Sequence, residues 1–261
     1  MQFAWLYPRL YPALAASFPL GLWAGNPDRR EIALSFDDGP HPEYTPALLR
    51  LLDQEQVTAS FFWLGCWVDR APAVAKQVWD AGHWLGLHGY HHRSFPRLSA
   101  DELQRDLKRT QRAIAQACQL DPAWVQHHVR DVRPPNGLFL PGALAQWRSW
   151  GYRPVMWSVV PEDWTHPGPA VVQRRVLDQV QNGSLIVLHD GPCGGRDVVK
   201  TVAQLIPALR DRGWRFVTVD RLWDSIKQDA LNPASPKPTA REIDRAIDQM
   251  PKQMPKQMPN E

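Results

Sequence analysis

At 261 residues the chain is long enough to bury one large α/β domain, and Lys plus Arg exceed Asp plus Glu by only 30 − 27 = 3. So small a surplus, with no basic block, argues against nucleic acid or anionic lipid as a partner. Three cysteines, Cys66, Cys118 and Cys193, are odd in number and lack any C-x-x-C, which excludes a disulfide framework and a zinc knuckle.

The first 25 residues are apolar but have no basic leader. Pro8, Arg9, Pro12 and Pro19 interrupt them before a signal core or a membrane span is complete. Residues 1–30 are therefore expected to pack on the domain that follows. A poor signal or a surface anchor is the alternative, so cytoplasm and cell envelope both stay open as the compartment.

From residue 31 onward, short apolar runs alternate with longer amphipathic ones. Strands are predicted over 32–36, 59–63, 84–87, 131–133, 154–158, 185–188 and 215–219. Helices are predicted over 45–54, 72–80, 100–118, 141–150, 170–181 and 198–212, where apolar residues recur at i, i+3 and i+4, as in Val199, Val202, Leu205, Ile206 and Leu209. Such β-α alternation builds a single α/β domain over 31–228, either a closed or nearly closed β/α barrel or an open doubly wound sheet. After Val219 the alternation stops. Residues 229–261, with QMPKQMPKQMP near their end, read as a largely disordered tail with one short helix around 240–249.

The polar residues that interrupt this pattern fall at the downstream ends of predicted strands, the edge where a β/α barrel builds its site. Asp37 and Asp38 end the first strand and are followed by Gly39-Pro40, so a solvated turn is the bland alternative. In an extended chain the two carboxylates point to opposite sides, so one can bind a metal while the other aims at a water. His88 and His92, four apart, would share a face if that segment made a helical turn, and no Glu follows His88 as it would in H-E-x-x-H. With an Asp they make a ligand set that leaves open positions for water and substrate. His189 ends an apolar run, where it suits a proton donor, and Arg133 sits before two prolines as a fork that can hold a carboxylate. His83, His91, His127 and His128 read as surface or core histidines. Cys193 reads as an accessible thiol with no catalytic part. Among the 13 tryptophans, Trp63, Trp67, Trp84, Trp157 and Trp164 lie near strand ends and suit either sugar stacking or barrel packing.

In order, SFDDGP at 35–40, H-x-x-x-H at 88–92, RPPNG at 133–137, EDW at 162–164 and LIVLHDG at 185–191 resemble the five motifs of the polysaccharide deacetylase family. This is the NodB-like domain of carbohydrate esterase family four, and the resemblance spans about Ile32 to Trp223. It implies a deformed β/α barrel of about seven parallel strands and one divalent ion, zinc, cobalt or similar, held by Asp38, His88 and His92. It further implies Asp37 as general base, His189 as general acid, Arg133 as the residue orienting the base and Asp163 as the carboxylate tuning the acid. A backbone N–H near Asn136 would hold the oxyanion, and Trp164 would border the substrate. The expected partner is an acetylated carbohydrate, most naturally an N-acetyl one, with neither nucleic acid nor a membrane span.

Three positions depart from the family's pattern. Asn136 stands where an aromatic is frequent, Val160 stands where the fourth motif has its first acid, and Gly89 replaces Ser or Thr. The alternatives are a related amidohydrolase acting on a small non-sugar amide, and an inactive carbohydrate-binding relative.

Overall fold

The structure is a computed structural model that describes residues 4–230; the predicted tail beyond them, with its helix around 240–249, lies outside the described residues. Strands β1 (Glu31–Asp37), β2 (Ser60–Trp63), β3 (Trp84–Leu87), β4 (Asp131–Val132), β5 (Arg153–Pro154), β6 (Leu185–His189) and β7 (Arg215–Phe216) are all paired in parallel. Their order is β5-β4-β3-β2-β1-β6, with β7 paired to the first two residues of β1. The helices are α1 (Tyr7–Ser17), α2 (Tyr44–Gln54), α3 (Gly65–Arg70), α4 (Pro72–Asp80), α5 (Ala100–Cys118), α6 (Pro122–His128), α7 (Ala143–Ser149), α8 (Pro169–Gln179), α9 (Val198–Asp211) and α10 (Val219–Ala230). This is the deformed β/α barrel expected.

Alternation along each strand decides what faces where. Ile32, Leu34 and Phe36 of β1 join Ile186 and Leu188 of β6 in the outer core against the helices. Ala33 and Leu185 face the other way, into a second cluster with Phe62 and Val155. In the β1–β6 register Ala33 lies beside Leu185, Ser35 beside Val187 and Asp37 beside His189. One in-register column therefore runs from apolar at the upstream end to polar at the downstream end.

Four predicted strands, 59–63, 131–133, 154–158 and 215–219, prove shorter than their apolar runs. Past Val155, whose amide still donates to the Val132 carbonyl at 2.8 Å, the chain leaves β4 and reaches the opposite edge strand, Val155 bridging Leu22 and Val159 bridging Ile186. Residues Leu22 to Gly25 and 155–159 thus close the seam between β5 and β6, with the Gly25 amide donating to the Gly183 carbonyl at 2.7 Å. Ahead of them α1 lies on the barrel, its Tyr7 hydroxyl donating to the Trp157 carbonyl at 3.0 Å.

The predicted last strand, 215–219, ends at Phe216, and Val219 instead starts α10, a helix the periodicity reading did not find. Val219 and Leu222 are fully buried and Trp223 nearly so, all in the inner cluster. This helix stops the upstream end of the barrel. Short α3 was also missed because it starts directly after β2 on a glycine. For α6 the signal was present: Asp121 caps the Trp124 amide at 2.8 Å, and Pro122 takes the first turn.

The α10 plug is locked by a charge with no access to water. Asp131 accepts from Arg153 Nε at 2.7 Å, from the Trp84 indole at 2.7 Å and from the Trp223 indole at 3.2 Å. Asp131→Ala would leave a shielded guanidinium and two indole donors without an acceptor. It is expected to cost about 3–5 kcal/mol, read as a lower urea midpoint, with Asp131→Asn losing less. A wild-type midpoint in Asp131→Ala would refute the lock.

Candidate active site

Asp37 is the last residue of β1 and faces inward as the alternation requires. Its Oδ1 accepts from Arg133 Nη1 at 2.6 Å; the same nitrogen donates to Ser35 Oγ at 2.8 Å, and Nη2 donates to the Met156 carbonyl at 3.0 Å. The guanidinium lies 3.9 Å from the Phe62 ring centroid inside the barrel. Buried on every side, Arg133 keeps its charge by pairing with Asp37 and in return fixes that carboxylate's orientation.

Asp38 is not extended. Its φ of +73° puts it in the left-handed region, which Asp tolerates better than most residues. The expectation that the two carboxylates diverge along an extended chain is therefore corrected: the left-handed turn swings Asp38 so that both border one cleft. The expected helical turn for His88 and His92 is absent too. The segment after β3 is irregular and turns at Gly89, whose φ is +88°. It still brings both imidazoles to Asp38.

His88 Nε2 and His92 Nε2 each stand 3.5 Å from Asp38 Oδ1, and the three ligand atoms lie within 4.8 Å of one another. His88 Nδ1 is 2.7 Å from the Arg133 carbonyl, which can only accept, so Nδ1 carries the hydrogen and Nε2 presents its lone pair. Burial pushes the His88 pKa down, favouring the neutral ring, although Asp37 and Asp38 oppose this. Asp38 Oδ1 is buried without a hydrogen-bond partner. An acceptor facing the His88 lone pair is repulsive unless a cation lies between them. Ligand atoms about 2.0–2.1 Å from one tetrahedral ion stand about 3.4 Å apart, so these residues fit a divalent metal.

Across the cleft, His189 Nδ1 donates to Asp163 Oδ1 at 2.8 Å, and Asp163 Oδ2 accepts the His189 amide at 2.8 Å. Burial alone would lower the His189 pKa. The Asp163 charge and hydrogen bond, helped by Asp38 and Asp37, outweigh it and raise the ring to about 9. At neutral pH it is an imidazolium with Nε2–H free to donate. Gly194 makes the loop above this pair possible, because a Cβ there would come within 2.9 Å of His189 Cβ. The cleft measures about 460 Å³ and is bordered by Asp37, Asp38, His88, His92, Asn136 and His189, with Trp67, Trp157 and Trp164 as aromatic walls.

Comparison with known proteins follows the same lines. The polysaccharide deacetylase family model matches residues 24–155. A peptidoglycan-N-acetylglucosamine deacetylase of Bacillus cereus is 34% identical over 202 residues, 77% of this chain and 91% of the relative. The chain belongs to the polysaccharide deacetylase family. A crystal structure of a peptidoglycan N-acetylglucosamine deacetylase superposes with a TM-score of 0.72 at 29% identity, covering 78% of this chain and 92% of that one. A CE4 family pseudoenzyme from Bacillus anthracis superposes with a TM-score of 0.69 at 27% identity, covering 78% and 68%.

Against the family's pattern, Val160 turns out to be harmless to the His189 pair, since Asp163 alone supplies both hydrogen bonds. The Val160 position is instead held through its backbone, bonded in both directions to the Gln179 amide. Of the five tryptophans singled out, Trp67, Trp157 and Trp164 border the cleft, whereas Trp63 is fully buried and Trp84 belongs to the Asp131 lock. Periodicity cannot separate these two fates. Asp190 has a part that no local pattern in the sequence signals. It is fully buried, accepts from Thr45 Oγ1 at 2.5 Å and donates its amide to the Asp37 carbonyl at 3.2 Å, bracing the Asp37-Asp38 turn from behind. Burial, with Asp38 and Asp37 nearby and only the Thr45 bond opposing, pushes its carboxyl up to about 7. Among the described residues no helix is long and apolar enough to cross a membrane.

Proposed function

We propose that this protein is a metal-dependent hydrolase that removes the N-acetyl group from an N-acetylhexosamine residue of a glycan. The observation that carries the reading is the convergence of Asp38 Oδ1, His88 Nε2 and His92 Nε2 beside a carboxylate already oriented by Arg133. Asp38, His88 and His92 would hold the ion, which when bound polarises the acetyl carbonyl and acidifies a water.

The remaining steps belong to the chain's own side chains. Asp37 has one oxygen committed to Arg133, so its other oxygen, 3.9 Å from His88 Nε2, takes the proton of the water as its oxygen bonds to the acetyl carbon. A backbone N–H near Asn136, which borders the cleft, would hold the oxygen that gains charge. As the C–N bond breaks, His189 passes its Nε2 proton to the amine, and Asp163 stabilises the imidazolium until then. The amine and acetate are the products. The aromatic walls supply apolar faces for a sugar ring, which favours a glycan over a small non-sugar amide. The complete acid, base and ligand set weighs against an inactive sugar-binding protein.

The test is acetate release from acetylated chitooligosaccharides and from peptidoglycan, with and without dipicolinate. Acetate should appear, disappear with the chelator and return with added zinc or cobalt. Tight glycan binding with no acetate at any metal concentration would replace the hydrolase reading with the binding one.

A further inference from the structure

The stretch between His88 and His92 has no regular secondary structure of its own, and the His92 side chain is 38% exposed. Its order is imposed by two helices. At the start of α3 the Gly65 and Cys66 amides donate to the Gly89 and Tyr90 carbonyls at 3.0 and 2.9 Å. From α5, Asp106 Oδ2 accepts the Tyr90 amide at 2.5 Å. The Tyr90 hydroxyl donates to Asp69 Oδ2 of α3 at 2.5 Å, and the Arg109 guanidinium of α5 covers the Tyr90 ring at 3.6 Å. Gly89 eases this close approach: it takes the φ of +88° without strain, and a Cβ there would stand a tight 3.1 Å from the Asp106 carboxylate and 3.2 Å from the Phe95 ring. Neither Asp106 nor Asp69 borders the cleft.

We propose that Asp106 and Asp69 are positioning residues for His92, gripping Tyr90 at its amide and its hydroxyl so that the loop presents the imidazole to Asp38 and His88 before any metal arrives. The inference rests on the metal reading above and adds to it a clamp outside the ligand set. An unclamped loop would have to be ordered by the metal itself, and that ordering would weaken the affinity. Asp106 is the stronger half, because a charged acceptor on a backbone amide fixes the main chain directly. The Tyr90–Asp69 bond then ties the loop that follows β3 to the side of α3.

Zinc affinity, measured by competition with a chromophoric chelator, and the melting temperature of the metal-free protein are compared for wild type, Asp106→Ala, Asp106→Asn and Tyr90→Phe. Asp106→Ala should bind zinc roughly 10–100-fold more weakly, the usual loss when a group supporting a ligand is removed. Asp106→Asn, whose amide oxygen still accepts, should recover most of the affinity, and Tyr90→Phe should fall between. Wild-type affinity in Asp106→Ala, or equal losses in the Ala and Asn variants, would overturn the clamp. If Asp106→Ala does not fold, Tyr90→Phe decides, since it removes a single hydroxyl, and unchanged affinity there overturns the proposal. Wild-type protein that takes up no zinc overturns the metal reading and this inference together, an outcome distinct from zinc binding that ignores the clamp.

Discussion

Asp37→Asn is expected to keep its metal and lose turnover by roughly 10²–10⁴-fold, the usual worth of a positioned general base. Asp38→Ala is expected to lose the metal. The two residues are neighbours in sequence, yet their surroundings assign them different duties. One Asp37 oxygen is engaged by Arg133 at 2.6 Å, so an Asn placed there can keep that bond through its own oxygen and preserve the shape of the site. Asp38 Oδ1 has no hydrogen-bond partner and faces two imidazoles at 3.5 Å each, so its loss removes one of three ligands. High zinc should recover part of the Asp38→Ala activity and none of the Asp37→Asn activity. Elemental analysis with acetate release on both variants decides it. The assignment falls if Asp37→Asn comes out metal-free while Asp38→Ala retains metal and activity.

His189→Ala should likewise keep the metal and lose most turnover on amides, because an amine leaves poorly without a proton, while matched O-acetyl substrates suffer less. Equal losses on both would remove His189 from the role of acid. The same residue predicts a pH profile. An acid works only while protonated, and the His189 pKa is raised to about 9, so kcat should decline as pH rises through that value. In Asp163→Asn the largest raising influence is gone and burial, which lowers the pKa, is left less opposed. The alkaline limb should then move to lower pH, toward or below the ordinary histidine value of 6.5. A limb that stays in place would show that another group titrates there.

Much of this site is legible in the sequence because strands announce their own ends. An apolar run such as Leu185–Leu188 must be buried, so the polar residue that terminates it, His189, has to stand at the edge of the sheet. The same reasoning located Asp37, His88 and Arg133, and parallel β-α alternation required all of those edges to meet at one mouth. The reading failed where the chain leaves regular geometry. Asp38 and Gly89 both have positive φ, so neither the extended-chain rule nor the helical-turn rule applies to the ligands they orient.

The sequence by itself determined the parallel α/β class, the order of the strands and the strand-edge placement of the candidate site residues, because periodicity and strand ends are local properties of the chain; the barrel form rested on the family resemblance. Only the tertiary structure decided which tryptophans border the cleft, that Val219–Ala230 is a plug and that Asp69 and Asp106 brace the His92 loop. Each of those outcomes depends on a partner tens of residues away: Trp223 finds Asp131 across 92 positions, and Val219 finds Ser60 across 159. The worth of burying a side chain or pairing a charge is set by what the fold brings next to it, and no window along the sequence contains both partners.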